Sequence, residues 1–266
     1  MKVLMVGDIV GSSGRTVFAQ VVTRLRAAGK VDFVVVNGEN AAAGKGLTGK
    51  LAEGFFSAGA DVITLGDHTW NQKEFGSYLS KEPRVLRPAN FAPGCPGHGA
   101  VTVSTPFGDI TVFNLIGRVF MKPYDCPFRK MDELLPLYPS SKIKLVDFHA
   151  EATSEKIVIG RYLDGRVSAL VGTHTHVQTS DEIILPNGTA YMTDLGMSGN
   201  KDSAIGSDLD AVTSTFLTGL PARFDTVKGD GVLEGVMIDI DPKSGRAKSI
   251  KRMREAMSGK AKTAWG

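Results

Sequence analysis

Side chains that bind metal ions follow five apolar runs in this 266-residue sequence. Each run has the length and composition of a buried strand, and the polar residues stand shortly after it. In chain order they are Asp8, Glu39 with Asn40, Asp67 with His68, His149 with Glu151, and His174 with His176. In an α/β sheet, ligands gather where several strands end, so we expect these groups to converge on one site.

Single members of this set have simpler explanations. Asp8 can cap a helix or occupy a turn, and His149 can be a hydrogen-bonded core histidine. The pair His174 and His176 is harder to explain in this way, because residues two apart on an extended backbone point to the same side. Four of the five histidines lie at predicted strand ends, and this arrangement favours a shared site.

The types of donor indicate which metals the site would hold. Imidazoles combined with carboxylates and an amide oxygen, without thiolates, suit Mn²⁺, Fe²⁺ or Zn²⁺. The donors outnumber what one ion needs, whereas two ions roughly 3.5–4 Å apart and sharing a carboxylate would use them all. A hydroxide held between two such ions would attack phosphorus in line. The chemistry predicted is therefore the hydrolysis of a phosphate ester.

The elements that position these residues alternate between strands and helices, and the later part of the chain is rich in strands. The pattern predicts stacked mixed sheets with helices outside, in one domain over residues 1–266. Helices are predicted at 13–28, 48–58, 131–137 and 210–217. Strands are predicted at 2–6, 33–36, 62–65, 85–87, 99–105, 110–115, 143–148, 157–163, 169–171, 181–185, 190–193, 232–240 and 247–254.

Composition predicts a cytoplasmic protein without a membrane segment. Hydrophobic residues make up 42% of the chain and charged residues 22%, and no apolar run is long enough to span a bilayer. Only two cysteines, Cys95 and Cys126, are present, which fits a reducing compartment.

The net charge of +3 is unevenly distributed, because residues 242–266 carry eight Lys or Arg and one acid. We expect a solvated edge strand followed by a frayed tail of about ten residues, and contact with an RNA or nucleotide phosphate is the alternative.

Five short blocks resemble those of the calcineurin-like metallophosphoesterases, in that superfamily's order: GDIVG, NGEN, LGDHTW, DFHAE and GTHTHV. Two positions depart from the usual pattern. Val10 stands where most members carry a metal-binding histidine, and Glu39 where most carry an aspartate. Together with NLIGRVFM, DFHAEATSEK, GTHTHVQT and TDLGMSG, these departures resemble the YmdB-like bacterial family of 2′,3′-cyclic nucleotide phosphodiesterases over nearly the whole chain.

The resemblance implies a four-layer αββα sandwich and two divalent metal ions per chain, with Fe or Mn expected and Zn possible. It implies that one ion is held by Asp8, Glu39, Asn40 and His176. It implies that the second is held by Glu39, as the bridge, with Asp67, His149 and His174. It also implies that His68 donates a proton to the leaving ribose oxygen, and that the chain forms a homo-oligomer.

Some residues in the matching blocks have open roles. Asp67 stands where asparagine is the usual superfamily ligand, so the site would carry one more negative charge. Arg118 and Arg129 either orient the substrate or form structural ion pairs. Asp194 is a candidate partner that fixes the tautomer of a histidine. Residues 87–130, rich in Pro, Gly and Phe, are expected to face the substrate.

The leading prediction is a dinuclear phosphodiesterase acting on 2′,3′-cyclic nucleotides, with RNA ends as possible partners. A phosphomonoesterase, such as a nucleotidase, could use the same metals, since specificity lies in the flanking loops. A regulatory or RNA-binding protein with incidental activity is the alternative from another class. Its support is the basic C-terminal segment, and the intact donors at every block argue against it.

Overall fold

The computed structural model describes residues 1–257, and fourteen strands lie within that range. In chain order they are β1 Lys2–Val6, β2 Asp8–Ile9, β3 Phe33–Asn37, β4 Val62–Thr64, β5 Val85–Leu86, β6 Ala100–Thr105, β7 Gly108–Ile116, β8 Ile143–His149, β9 Ala169–Thr173, β10 Ile183–Ile184, β11 Ala190–Met192, β12 Met197–Ser198, β13 Val232–Ile240 and β14 Ala247–Ala256.

The described residues also form six α-helices and one short 3₁₀ helix at Leu135–Leu137. The α-helices are α1 Gly11–Ala27, α2 Gly49–Ala58, α3 Phe75–Leu79, α4 Pro127–Leu134, α5 Thr153–Tyr162 and α6 Leu209–Thr218. Several helix ends carry the expected signals. Thr48 accepts a hydrogen bond from Leu51 N at the start of α2, Gly59 ends that helix in a left-handed conformation, and Pro127 opens α4.

Two six-stranded mixed sheets carry the fold. The first has the order β14-β13-β1-β3-β4-β5, in which β1, β3, β4 and β5 are parallel. The second has the order β10-β11-β9-β8-β7-β6, in which β11, β9, β8 and β7 are parallel. Antiparallel strands complete both sheets, and β2 pairs with β12 in a small separate ribbon.

Three apolar clusters define four layers. The middle cluster joins the inner faces of the two sheets, and it contains Val3, Met5, Phe33, Val112 and Leu145. A second cluster packs α1 and α2 on the outer face of the first sheet, and a third packs α4 and α5 on the second sheet. The parallel strands are buried on both faces, which explains their continuous Val- and Leu-rich runs. The predicted αββα sandwich is confirmed.

The strand predicted at 157–163 is wrong, because these residues belong to helix α5. The run Ile157-Val158-Ile159 has the β-branched composition of a strand. Burial follows the helical period instead, with Lys156, Ile159 and Gly160 buried while Ile157 and Val158 are exposed. The remaining predicted elements are present with shifted ends, including the β10–β11 hairpin.

The basic strand β14 lies at an edge of the first sheet, as expected. Three of the charges on this strand take part in ion pairs: Arg252 with Glu182, Arg254 with Glu234, and Glu255 with Arg24. The frayed tail that was predicted falls largely on residues 258–266, which lie outside the described residues. Within residues 1–257, none of the helices has the length and apolar character needed to cross a membrane.

Candidate metal centre

The candidate metal ligands lie where the carboxyl ends of both sheets meet. β1 leads through Gly7 to Asp8, β3 leads to Glu39 and Asn40, and β4 leads to Asp67 and His68. From the second sheet, β8 ends at His149 and β9 leads to His174 and His176. The distances below show that the structure brings these eight side chains together, and Glu151, the ninth residue of the predicted set, lies beside His174.

Four of these residues form a tight cluster that could hold a metal ion: Glu39, Asp67, His149 and His174. His149 is at its centre. Its Nε2 lies 3.0 Å from Glu39 Oε1, 3.2 Å from Asp67 Oδ1 and 3.0 Å from His174 Nδ1. The other ring nitrogen of His174 lies 3.2 Å from Glu151, so that carboxylate stands on the outer side of the ring.

Asp8, Asn40 and His176 form a second group beside the first. Asn40 Nδ2 lies 3.4 Å from Asp8 Oδ1 and 3.1 Å from His176 Nε2, and His176 Nε2 lies 3.8 Å from the same Asp8 oxygen. Asp8 and Asn40 are buried. The Nδ1 of His176 lies 2.9 Å from the carbonyl of Ile205, which favours a proton on Nδ1 and leaves Nε2 free as a ligand.

The two histidines of the His-x-His motif reach the site by a different route from the one predicted. They lie beyond the end of β9, and both have left-handed backbones, with φ of 99° at His174 and 64° at His176. His174 faces His149, whereas His176 faces Asp8 and Asn40. A strained turn, and not strand alternation, therefore brings the rings to the two groups.

The buried carboxylate of Asp147 is connected to His149 through Thr173, on the side of the ring away from the cluster. The sequence analysis did not identify this residue. The Nδ1 of His149 lies 2.9 Å from Thr173 Oγ1, and that hydroxyl donates to Asp147 Oδ1 at 2.8 Å. Asp147 also accepts from Thr64 and Asn37. The arrangement fixes the proton of His149 on Nδ1 and turns Nε2 toward the cluster. An available signal was Asp147, which interrupts the apolar run 145–148 two positions before His149.

Asp194 has a different role from the one considered in the sequence. It accepts from the ammonium of Lys156 at 2.7 Å, and from the backbone and hydroxyl of Thr175 at 3.1 and 2.8 Å. It does not reach an imidazole in the described hydrogen bonds. It holds the backbone between His174 and His176 instead.

His68 lies at the edge of the cluster. Its backbone N–H donates to Glu39 Oε2, while its Nδ1 lies 3.0 Å from Asn40 Oδ1 and 3.4 Å from Glu39 Oε1. The nearby Glu39 carboxylate raises the pKa of His68 above its ordinary value, although partial burial opposes this effect. The ring is more exposed than that of His149, so it can reach a bound molecule.

The electrostatics of the cluster are those of carboxylates packed against imidazoles. Burial acts to lower the pKa of His149, but the charges of Glu39 and Asp67 prevail and hold it well above the usual value. Burial also acts to raise the pKa of Glu39, yet His149 and His68 keep it well below its usual range. Burial and the neighbouring His149 lower the pKa of His174 to about 4. A divalent cation would displace the proton from His149 Nε2 and take its place between His149, Glu39 and Asp67.

The residues fit a metal ion on two further grounds. Oε1 of Glu39 is buried, and within residues 1–257 no donor hydrogen-bonds to it with proper geometry. A Cβ at Gly66 would stand 2.3 Å from His149 Nε2 and 2.5 Å from Glu39 Oε2, so a larger residue would fill the space between the donors. Acceptor atoms kept this close together, beside a position that carries no side chain, suit a cation.

Arg118 lies at the start of the loop between β7 and α4, Arg129 lies in the first turn of α4, and both are exposed. Neither forms an ion pair among the described residues, so the structural alternative is unsupported there. Arg118 begins the loop directly beside the site, because the preceding Gly117 N–H donates to the carbonyl of His149.

The two facing sheets and the cluster of carboxylates and imidazoles at their edges define an enzyme of the metallophosphoesterase class. More narrowly, the chain belongs to the YmdB-like protein family, whose model matches residues 4–253.

Known proteins similar to the chain agree with this assignment. It is 47% identical to a 2′,3′-cyclic-nucleotide 2′-phosphodiesterase of Bacillus subtilis, over 95% of this chain and 96% of that protein. A hypothetical protein of Thermus thermophilus superposes with a TM-score of 0.92 and 38% identity, covering 97% of this chain and all of that one. A phosphatase of Mycoplasma pneumoniae superposes with a TM-score of 0.90 and 32% identity, over 96% of this chain and 93% of that one.

Proposed function

We propose that this protein is a metal-dependent phosphodiesterase that hydrolyses 2′,3′-cyclic nucleotides. The observation that carries the proposal is the cluster of Glu39, Asp67, His149 and His174 beside Asp8, Asn40 and His176. The identity of 47% to a relative with that named activity supports the choice of substrate.

Two divalent cations are part of the proposal. Asp8, Glu39, Asn40 and His176 would hold one, and Glu39, Asp67, His149 and His174 the other. The position of Glu39 supports its role as the shared ligand, since it directly precedes Asn40 of the first set and its Oε1 lies 3.0 Å from His149 Nε2 of the second. When bound, such cations neutralise charge on the phosphoryl group and make water a stronger nucleophile. The donor types suit Mn, Fe or Zn, and the family resemblance favours Fe or Mn.

His68 is proposed to protonate the leaving ribose oxygen. An imidazole with a pKa raised by Glu39 stays protonated over a wider pH range, which suits a proton donor near neutral pH. Its exposure at the edge of the cluster supports access to the substrate. Arg118 is proposed to contact the substrate, because it is exposed beside His149 and lacks an ionic partner among the described residues.

Three broader expectations belong to the same proposal: a single domain, a cytoplasmic location and a homo-oligomer. Helix α6 supports self-association, because none of its residues is buried and Phe216 is 84% exposed. Exposed apolar patches commonly mark interfaces. Light scattering of the wild type and of Phe216→Glu tests this part. A monomeric wild type would contradict it.

The function is tested by quantifying metals in the purified protein and assaying 2′,3′-cyclic AMP with added Mn²⁺. We expect about two metals per chain, and turnover lost in Asp8→Ala and His149→Ala. His68→Ala should keep its metals yet lose about 10²- to 10⁴-fold in kcat, the usual contribution of general acid catalysis. A metal-loaded wild type that leaves the cyclic diester intact but cleaves phosphomonoesters would replace the proposal with a nucleotidase.

A further inference from the structure

An aromatic row lies beside the candidate metal centre and has no role in holding metal. Trp70 packs on Phe91 with ring centroids 5.9 Å apart, and Phe91 stacks on Tyr124 at 5.0 Å and an interplanar angle of 29°. Phe91 is 5% exposed, whereas Trp70 is 42% exposed. The row therefore has a buried centre and an open indole face.

Both ends of this aromatic row are tied to the metal site. The backbone N–H of Asn71 donates to the carbonyl of His68 at 3.1 Å, so Trp70 occupies the middle of a turn that starts at the proposed proton donor. At the other end, Tyr124 lies in the loop that follows β7, the strand whose last residue, Ile116, pairs with His149.

The loop that carries Tyr124 is fixed rather than free. It starts at Gly117, whose N–H donates to the carbonyl of His149 at 2.9 Å. Near its end, the buried Asn90 donates to the carbonyls of Ile116 and Asp125, both at 2.8 Å. Asn90 stands next to Phe91, so the same bonds hold the stacked pair of Phe91 and Tyr124 in place. The rings are thus preorganised beside the reacting groups.

We propose that this row, through the exposed face of Trp70, is the subsite that stacks the nucleobase of the substrate. The proposal rests on the proposed function, in which the phosphodiester lies at the metal centre. An indole packed against a buried ring loses little conformational entropy when a base stacks on it. Stacking accepts every base, because each has a π face, so the subsite gives only modest base preference, with purines ahead of pyrimidines.

The test compares a substrate with a base and one without. Trp70→Ala and Trp70→Phe are assayed on 2′,3′-cyclic AMP and on 1-O-methylribose 2′,3′-cyclic phosphate, with Mn²⁺-loaded protein. Trp70→Ala should raise KM for cyclic AMP roughly five- to 150-fold, the range of base–aromatic stacking, and leave kcat/KM for the base-free diester unchanged. Trp70→Phe should recover most of the loss.

Phe107→Ala is the matched control. Phe107 has the same exposure of 42% and belongs to the 87–130 segment that the sequence predicts to face the substrate, but it precedes β7, whose opposite end, Ile116, pairs with His149. At about 3.3 Å per residue, the nine residues of β7 place it about 30 Å from that end, so this part of the segment does not face the site. This variant should match the wild type on both substrates. Equal losses on both substrates in Trp70→Ala would overturn the subsite, because Trp70 would then only shape the His68 turn.

A binding measurement separates the subsite from the proposed function. The sequence contains two tryptophans, Trp70 and Trp265, so Trp265→Phe leaves Trp70 as the only one. Titration with 3′-AMP should quench its emission, while inorganic phosphate should not. Hydrolysis of cyclic AMP without quenching by 3′-AMP would reject the subsite and keep the function. Quenching in a protein that hydrolyses no diester would reject the function and keep a nucleobase site.

Discussion

Lys156 and Asp194 form a buried ion pair beneath the turn that carries two candidate metal ligands. Their Nζ and Oδ2 atoms are 2.7 Å apart, and each side chain is 1% exposed. Lys156 also donates to the carbonyl of Thr173 at 2.8 Å, and Asp194 accepts from both the N–H and the hydroxyl of Thr175. The pair therefore holds the backbone before and within the His174–His176 turn, where φ is positive.

Removing one partner of this pair should weaken both the fold and metal binding. Lys156→Met leaves the Asp194 carboxylate buried without its cation, which typically costs about 3–5 kcal/mol of unfolding free energy. The turn would also lose a tether, so the affinity for Mn²⁺ should fall. Urea unfolding and calorimetric titration with Mn²⁺ measure the two effects.

Lys130→Met provides the control for this prediction. Lys130 pairs with Glu133 at 2.6 Å on the surface, where an ion pair contributes about 0–1 kcal/mol. Its loss should leave metal affinity unchanged. If both lysine variants unfold alike, the buried pair does not stabilise the turn.

The sequence pattern was sufficient to predict stacked mixed sheets with helices outside and polar residues gathered at the strand ends, because apolar runs followed by polar residues are local patterns. The four-layer order was implied by the family resemblance. The sequence did not predict the hydrogen bonds that hold the donor residues in position. The turn at His174 and His176 depends on Lys156, which lies in helix α5, and the sequence pattern predicts a strand over most of that helix. The hydroxyl of Thr173 meets His149 and Asp147 only after β8 and β9 pair. Contacts of this kind join distant parts of the chain and leave no periodic signal.

Thr173→Val tests the support behind His149. Valine keeps the shape of threonine but cannot connect His149 Nδ1 to Asp147, so the imidazole loses the acceptor that fixes its tautomer. Loss of such a partner usually lowers metal affinity or activity by about 10- to 100-fold. We expect that loss in Mn²⁺ affinity, measured by titration.

Thr111→Val is the matched change for Thr173→Val. Thr111 is also buried in the second sheet, and its hydroxyl contacts only Thr102 among the described hydrogen bonds, at 2.9 Å. Its replacement should leave Mn²⁺ affinity intact. Equal affinities in the two variants would count against a role for the Thr173 hydroxyl.

Asp67→Asn should shift the pH optimum of hydrolysis downward. Burial acts to raise the pKa of Asp67, but the hydrogen bond from His149 outweighs it and keeps the pKa below its ordinary value. Asp67 is thus ionised at neutral pH and removes one positive charge from the site. Asparagine removes the negative charge of Asp67, so the net charge of the metal site becomes more positive by one. A bound water then becomes more acidic, and the cations are held less tightly. Rate profiles between pH 5 and 10, taken at saturating Mn²⁺, measure the shift, and superimposable or reversed profiles would contradict it.

Asp8→Asn should stabilise the metal-free protein above pH 6 while weakening its response to metal. Burial raises the pKa of Asp8 from 3.8 to about 6, so the folded state binds the proton more tightly than the unfolded state. Stability is therefore lost as pH rises between these values, by at most about 3 kcal/mol at 1.36 kcal/mol per pKa unit. Melting in EDTA should show a higher Tm for Asp8→Asn at pH 7.5 and equal values near pH 4.

Asp239→Asn is the control for Asp8→Asn, because it should change Tm at pH 7.5 in the opposite direction. Lys2 lowers the pKa of Asp239, so its charge stabilises the fold above the ordinary pKa, and neutralising it should lower Tm at pH 7.5. Added Mn²⁺ should raise the Tm of the wild type and of Asp239→Asn. It should raise the Tm of Asp8→Asn much less, because a metal ion stabilises a protein according to its affinity for the folded state. A gain in Asp8→Asn that is independent of pH would show that the buried charge is not its cause.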